Sequence, residues 1–346
     1  MTESFCPDLP WFPTMDRTHP VGRRRLLAAG AVTLLSGLAG CNDEETEPVD
    51  PGEPRSQAPS NTGVLVGADM TLFDHEGTDR LLEAYGGGRA GSDEGGDAGL
   101  VAEFENRTDL DPESADVVVV FADEPRGDFA AYVVEADWSE STVVESMEAA
   151  TGLEYEARDH EGGTVYEPVD GDDEADYLGV VAEGRYAIGS VGAVEAAIET
   201  VHADRDSASG PLVDAFEDAP ADDAEGTTYV TAATDDPRAY LPPEDSERVP
   251  SIVSLNTYEK AATGTVAYTA AGSDVAIDAV LRAENADDAR EMYEFTLTVA
   301  SFLQNDIDDE AVAGELEKID VERTESVVTI SYRSDVEGAA TLAAWL

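Results

Sequence analysis

Histidine and cysteine, which often carry catalytic or metal-binding chemistry, are few in this sequence and form no catalytic pattern. The chain has four histidines and two cysteines, and it contains no H-E-x-x-H, P-loop or C-x-x-C motif. A Gly-x-Ser-x-Gly nucleophile elbow does not occur after residue 40. The sequence therefore gives no support for zinc, phosphate or serine-nucleophile chemistry. We predict that the protein has no cofactor and is not an enzyme.

One acidic loop matches part of a calcium-binding pattern. It begins at Asp170 and reads DGDDEAD, so that Asp170, Asp172 and Glu174 stand at the first three ligand positions of an EF-hand loop. Ala175 replaces the glycine that such a loop needs, and Val181 replaces its last glutamate. The loop is also expected to join strands, not helices. A solvated turn is therefore favoured over a metal site.

Near the N-terminus, a group of arginines precedes an apolar run. Residues 21–41 read VGRRRLLAAGAVTLLSGLAGC, in which Arg23, Arg24 and Arg25 form a basic group. The apolar run that follows is short and rich in Gly and Ala. It is poorly suited to cross a bilayer core of about 30 Å as a stable helix. This order of a basic region and a mild apolar region indicates an export signal.

The apolar run ends in a cysteine that small residues precede. Leu38, Ala39 and Gly40 come directly before Cys41. Small side chains allow a peptidase to reach the backbone, and the thiol can form a thioether. This segment resembles the lipobox of lipoproteins, and the arginines resemble a twin-arginine export signal.

The whole leader is similar to those of haloarchaeal lipoproteins that the twin-arginine pathway exports in the folded state. The resemblance covers residues 1–41 and implies cleavage before Cys41, a lipid on that cysteine, and a location on the outer face of the cell membrane. The alternative is an uncleaved anchor in which Cys41 is incidental. Translation starts at Met1 or at Met15; the second start would exclude Cys6 from the protein.

Acidic side chains are spread along the whole chain. There are 76 acidic and 20 basic side chains, which give a formal net charge of −56, and the only lysines are Lys260 and Lys318. This composition resembles that of proteins from salt-in haloarchaea; the alternative is an acidic interaction protein from another source. A surface this negative repels phosphate backbones, so we predict no nucleic-acid partner.

The chain after the leader divides into a tether and two folded units. Residues 41–62 are rich in Pro and acidic residues, which predicts a disordered tether. We predict a first unit over 63–225 and a second over 226–346. In each unit the pattern indicates hairpin, helix, hairpin, helix, over 115–201 and again over 262–346. An internal duplication and a chance recurrence both explain this order.

These elements predict an α+β fold, with antiparallel sheets and helices packed on one face. The helix predicted over 139–151 would place Val143, Val144, Met147 and Ala150 inward. Asn106 begins an N-glycosylation sequon on a predicted surface segment. For function, the sequence favours a lipid-anchored module that binds an unknown protein or small ligand. The alternative is an exported enzyme that depends on a divalent ion held by acidic residues.

We expect salt to stabilise the folded chain. Raising KCl from about 0.1 M to about 2 M should increase Tm by several degrees, because the Debye length falls to a few ångströms and repulsion among carboxylates is screened. Thermal unfolding followed by circular dichroism measures this shift. A Tm that is unchanged or lower at the higher salt concentration would contradict the expectation.

Overall fold

The computed structural model describes residues 52–345 except 71–77, 79–103, 105–106, 112–113, 125–126, 172–174, 220–227, 242–253 and 308. The strands are β1 (Val64–Asp69), β2 (Ala115–Ala122), β3 (Ala130–Ala136), β4 (Tyr155–His160), β5 (Gly163–Pro168), β6 (Tyr177–Ala182), β7 (Arg185–Gly189), β8 (Thr228–Thr234), β9 (Ala261–Ala271), β10 (Asp274–Ala283), β11 (Ile319–Thr324) and β12 (Val327–Asp335). The α-helices are α1 (Glu140–Thr151), α2 (Val191–His202), α3 (Pro211–Glu217), α4 (Ala286–Asp306), α5 (Glu310–Leu316) and α6 (Val336–Trp345). Short 3-10 helices span Pro54–Gln57, Pro237–Tyr240 and Leu255–Lys260.

All of these strands belong to one antiparallel sheet. The strand order is β11-β12-β10-β9-β8-β1-β2-β3-β7-β6-β5-β4, which makes the sheet twelve-stranded within the described residues. The predicted α+β class with antiparallel strands is confirmed. At the centre, β1 pairs with β8, and Leu65 lies opposite Ala233. This pairing joins the two halves of the chain into a single hydrogen-bonded layer.

The two halves have related strand orders on either side of the β1–β8 pair. The first half runs β1-β2-β3-β7 outward, and the second runs β8-β9-β10-β12. Helix α1 follows β3, and α4 follows β10, which is the order that the sequence indicated. The halves also differ, because the β4–β5 hairpin stands in the first half where α5 stands in the second. Internal duplication therefore stays a hypothesis.

In the first half, helices cover both faces of the sheet. We call the face that carries Tyr132 and Val134 the front and the opposite face, which carries Val133, the back. Helix α1 packs against the front through Val143 and other residues, and α2 packs against the back in a separate cluster. Because the inner residues of β3 are buried on both faces of the sheet, other elements must pack against each face.

The second half has most of its helices on the front. Helix α4 packs there through Met292, and α5 and α6 pack there through Val312 and Leu342. Among the described helices, only α3 lies on the back of this half. The expectation of helices on one face therefore fits α4, α5 and α6 of the second half. It does not fit the first half, because β3 lacks the polar alternation that leaves one face to water.

The first long helix has the ends that the sequence predicts and part of the predicted inner face. The Ser139 side chain caps α1 by accepting a hydrogen bond from the Thr142 amide, and Gly152 ends the helix in the left-handed region with φ +70°. Val143 and Met147 are fully buried, whereas Ala150 is only partly buried. The apolar face is thus narrower than predicted.

The predicted tether is wrong at its C-terminal end. Pro54–Gln57 form a 3-10 helix, and both Gln57 and the following Ala58 are fully buried. Arg185 of β7 donates hydrogen bonds to the Gly52 carbonyl at 2.6 Å and to Gln57 Oε1 at 3.3 Å, and it pairs with Glu135. A buried guanidinium with these acceptors fixes the segment to the sheet, which a composition-based argument did not indicate.

We expect Arg185→Ala to destabilise the fold and to release its first residues. Removing the guanidinium leaves buried acceptors without a donor, which should cost about 3 kcal/mol. Denaturant unfolding measures the loss, and limited proteolysis reports cleavage near Gly52. The exposed Arg323→Ala serves as the control. Equal unfolding midpoints for the two variants would show that Arg185 does not hold this segment.

Candidate binding cleft

The predicted leader residues lie outside the described part of the chain. This applies to Arg23, Arg24, Leu38, Ala39, Gly40 and Cys41, so that export and lipidation stay predictions. Within the described residues, no helix has the length and apolar character needed to cross a membrane.

The acidic loop is described only at its ends. Asp170 adopts a left-handed turn conformation with φ +58°, and Asp172 and Glu174 lie outside the described residues. At the end of the loop, both carboxylate oxygens of Asp176 accept hydrogen bonds from Arg107, one of them from Nε at 2.7 Å. No group of three possible metal ligands occurs among the described residues. The calcium hypothesis therefore stays a prediction, because two of its three candidate ligands lie outside the described residues.

The predicted sequon is partly described. Asn106 itself lies outside the described residues, but Thr108 is buried, with 1% of its surface exposed. Its hydroxyl donates to the Phe104 carbonyl at 2.7 Å and accepts from the Leu110 amide at 3.2 Å. The hydroxyl that a sequon needs is therefore engaged within the fold. Glycosylation of Asn106 stays a prediction.

Two of the histidines pack around the end of α2. His160 Nε2 lies 3.0 Å from Glu199 Oε1, and His202 Nε2 lies 2.7 Å from the Val181 carbonyl. Arg205 Nη1 donates to the other oxygen of Glu199 at 2.7 Å. That hydrogen bond, together with the one from His160, keeps the pKa of Glu199 below its usual value. These contacts join the β4–β5 hairpin to α2 and have a structural role.

A cleft of about 520 Å³ opens beside α3 on the back of the sheet. The helix begins at Pro211, whose fixed φ suits the first turn, and lies across β1, β8 and β9. Gly67 of β1 makes this approach possible, because a Cβ there would stand 2.7 Å from the Phe216 ring. The Thr265 hydroxyl donates to the Ala215 carbonyl at 3.2 Å and fixes the helix on the sheet.

Two residues on the sheet side of the cleft, Thr263 and Arg282, each have a buried polar atom without a partner. Thr263 of β9 lies directly opposite Arg282 of β10, so both side chains belong to the back face. Thr263 Oγ1 and Arg282 Nε are buried and make no hydrogen bond in the described structure. Thr263 as a whole is 2% exposed. A buried polar group without a partner costs free energy, of the order of 1–3 kcal/mol.

The helix side of the cleft is acidic. Asp214, Glu217 and Asp218 all line it. Arg282 Nη2 reaches across to Asp218 Oδ2 at 3.0 Å, and Arg55 Nη2 lies 3.2 Å from Glu217 Oε1. No described cation pairs with Asp214. The cleft therefore has one unneutralised carboxylate on the helix side and unused hydrogen-bonding capacity on the sheet side.

This arrangement is suited to bind a small polar molecule. The orphaned Nε–H of Arg282 can only donate, whereas the hydroxyl of Thr263 can donate or accept. Asp214 offers acceptor oxygens and a negative charge. Small-molecule sites combine a concave surface with a few convergent polar groups in this way, and their volumes are commonly about 300–1,000 Å³.

Sequence reasoning missed this cleft. A signal existed in β9, where Thr263, Thr265 and Thr269 alternate with other residues and mark a polar face. Arg282 is likewise the only base of β10. The pattern could not show that the short helix α3 crosses this face, because α3 lies about fifty residues earlier in the chain.

Comparison with known proteins gives only distant structural likeness. No protein family and no curated protein matches the chain. Crystal form III of TP0453 resembles it with a TM-score of 0.49 at 9% identity, covering 85% of this chain and 98% of that one. Crystal form IV of TP0453 gives a TM-score of 0.48 at 10% identity, with 86% and 97% covered.

We expect Glu199→Gln to reduce acid sensitivity. The folded pKa of Glu199 is lowered, so its carboxylate stabilises the fold above the unfolded pKa, and this contribution is lost as the pH falls through the folded pKa. The variant should therefore be less stable near neutral pH, and the difference from the unchanged protein should shrink in acid. Denaturant unfolding at a series of pH values measures this, with the exposed Glu145→Gln as the control. A constant difference across all pH values would contradict the assignment.

Proposed function

We propose that this protein is a lipid-anchored module on the outer face of the cell membrane that binds a small ligand in the cleft beside α3. The anchor rests on the leader, in which arginines, an apolar run and Leu38-Ala39-Gly40-Cys41 follow in order. The binding role rests on one observation, the pair of buried polar atoms without partners, Thr263 Oγ1 and Arg282 Nε.

The spacing between the anchor and the fold limits where the domain can lie. Gly52 is the first residue that the structure describes, and Arg185 of the sheet donates a hydrogen bond to its carbonyl. The chain from Cys41 to Gly52 spans at most about 40 Å when fully extended. A lipid on Cys41 would therefore keep the cleft close to the membrane surface, where a receptor for small solutes would meet its ligand.

Binding is favoured over ion-dependent catalysis by the pairing of the cleft carboxylates. An ion-dependent enzyme needs several free carboxylates that converge on a metal. Here arginines neutralise Glu217 and Asp218, and this leaves Asp214 as the free acid among the described lining residues. Such a site offers one charge to a ligand and not a cage for a divalent ion.

We expect Cys41→Ser to abolish lipid attachment. The oxygen of serine cannot replace the thiolate that forms the thioether, and anchoring depends on buried CH₂ groups at about 0.8 kcal/mol each. Detergent-phase partitioning and intact mass of the protein from cells measure the effect. The protein with Cys41 should enter the detergent phase with a lipid mass and should begin at residue 41.

Cys6→Ser is the matched control, because that residue precedes the expected cleavage site. This variant should show the same detergent-phase partitioning and the same intact mass as the unchanged mature protein. The anchor proposal fails if Cys41→Ser carries the same lipid mass, or if Cys6→Ser loses it.

A further inference from the structure

Among the described residues, the two walls of the cleft beside α3 lack different partners: the sheet side lacks a hydrogen-bond acceptor, and the helix side lacks a cation. At the base, Arg282 Nε needs an acceptor, and Thr263 Oγ1 needs a partner of either kind. At the rim, Asp214 is exposed and has no described cation beside it. An acceptor group at the base and a donor cation at the rim would satisfy all three side chains together.

The net charge of the chain further restricts which kind of ligand can supply this acceptor group. A free anion would approach against the field of a protein with a net charge of −56. A simple cation would be attracted, but it would leave the Arg282 Nε–H without an acceptor. A molecule with no net charge that carries both an ammonium and a carboxylate avoids each problem.

We infer that the cleft binds a small ammonium–carboxylate zwitterion of the amino-acid type, a conclusion that rests on the proposed binding function. The carboxylate accepts from Arg282 Nε and from the Thr263 hydroxyl, and the ammonium donates to Asp214. The apolar lining residues Pro211 and Val327 leave room for a small side chain within the 520 Å³ of the cleft. Because both polar atoms are buried in the ligand-free protein, the carboxylate reaches them only when the Arg282 side chain moves from its place beside Asp218.

Calorimetric titration of the detergent-solubilised mature protein tests the ligand class. The probes are glycine, L-alanine and L-glutamine, with methylamine as the cation alone and acetate as the anion alone. At least one zwitterion should bind saturably, and neither methylamine nor acetate should do so at the same concentrations. Equal binding of acetate or of methylamine would overturn the inference, and so would a folded protein that binds none of the zwitterions.

Substitution of Thr263 separates a ligand role from a structural one. Thr263→Val removes the orphaned hydroxyl without a change of shape, so it should raise the Tm of the ligand-free protein while weakening zwitterion binding at least tenfold. Thr62→Val is the matched control, because Thr62 Oγ1 is also buried without a partner but does not line the cleft. It should raise Tm and leave binding unchanged. Equal zwitterion affinity in the two variants would show that Thr263 does not contact the ligand and would overturn the assignment.

Asp214→Asn tests the other end of the ligand. It keeps the size of the side chain and removes its charge, so zwitterion affinity should fall at least tenfold with little change in Tm. Unchanged affinity would contradict the ammonium position. Failure of the titrations with an intact lipid anchor would refute the ligand class alone, whereas loss of the anchor with intact binding would refute only the proposed location.

Discussion

The backbone pairing of β1 with β8 is the contact on which the rest of the structure depends. It connects strands about 160 residues apart in the chain, and it places β2 and β3 on one side and β9 and β10 on the other. Without it the chain would have two smaller sheets with open edges, and exposed strand edges invite non-native pairing. With it, the edges of the described sheet are β4 and β11, both rich in charged residues.

The position of the cleft follows from that central pairing. Helix α3 ends the first half of the chain, but it packs across β1, β8 and β9, so it extends over the junction onto the second half. Gly67 in β1 accommodates Phe216, and Asp214 of the same helix lines the cleft together with Thr263 and Arg282. Arg55 reaches Glu217 from the first 3-10 helix. The segment nearest the proposed anchor thus contacts the wall of the cleft.

Much of the fold could be predicted because local patterns and tertiary packing agree. Val117–Ala122 is an uninterrupted apolar run, and it forms most of β2, which spans Ala115–Ala122. The Ser139 cap and Gly152 stop of α1 follow from side-chain and backbone chemistry within a few residues. The wrong predictions concern segments whose structure depends on residues that are distant in the sequence. Pro54–Gln57 reads as a tether until Arg185 supplies a buried donor for it, and the cover on both faces of β3 depends on which helix reaches each face.

The sequence by itself determined the element types, the antiparallel class and the strongly acidic surface. These depend on periodicity, capping and composition, which are local or additive properties of the residues. Only the tertiary structure decided that one sheet contains both halves, that Asp176 is held by Arg107, and that Thr263 and Arg282 share a cleft with Asp214. These facts depend on strand register and on the path of α3, which bring together side chains that no local pattern connects.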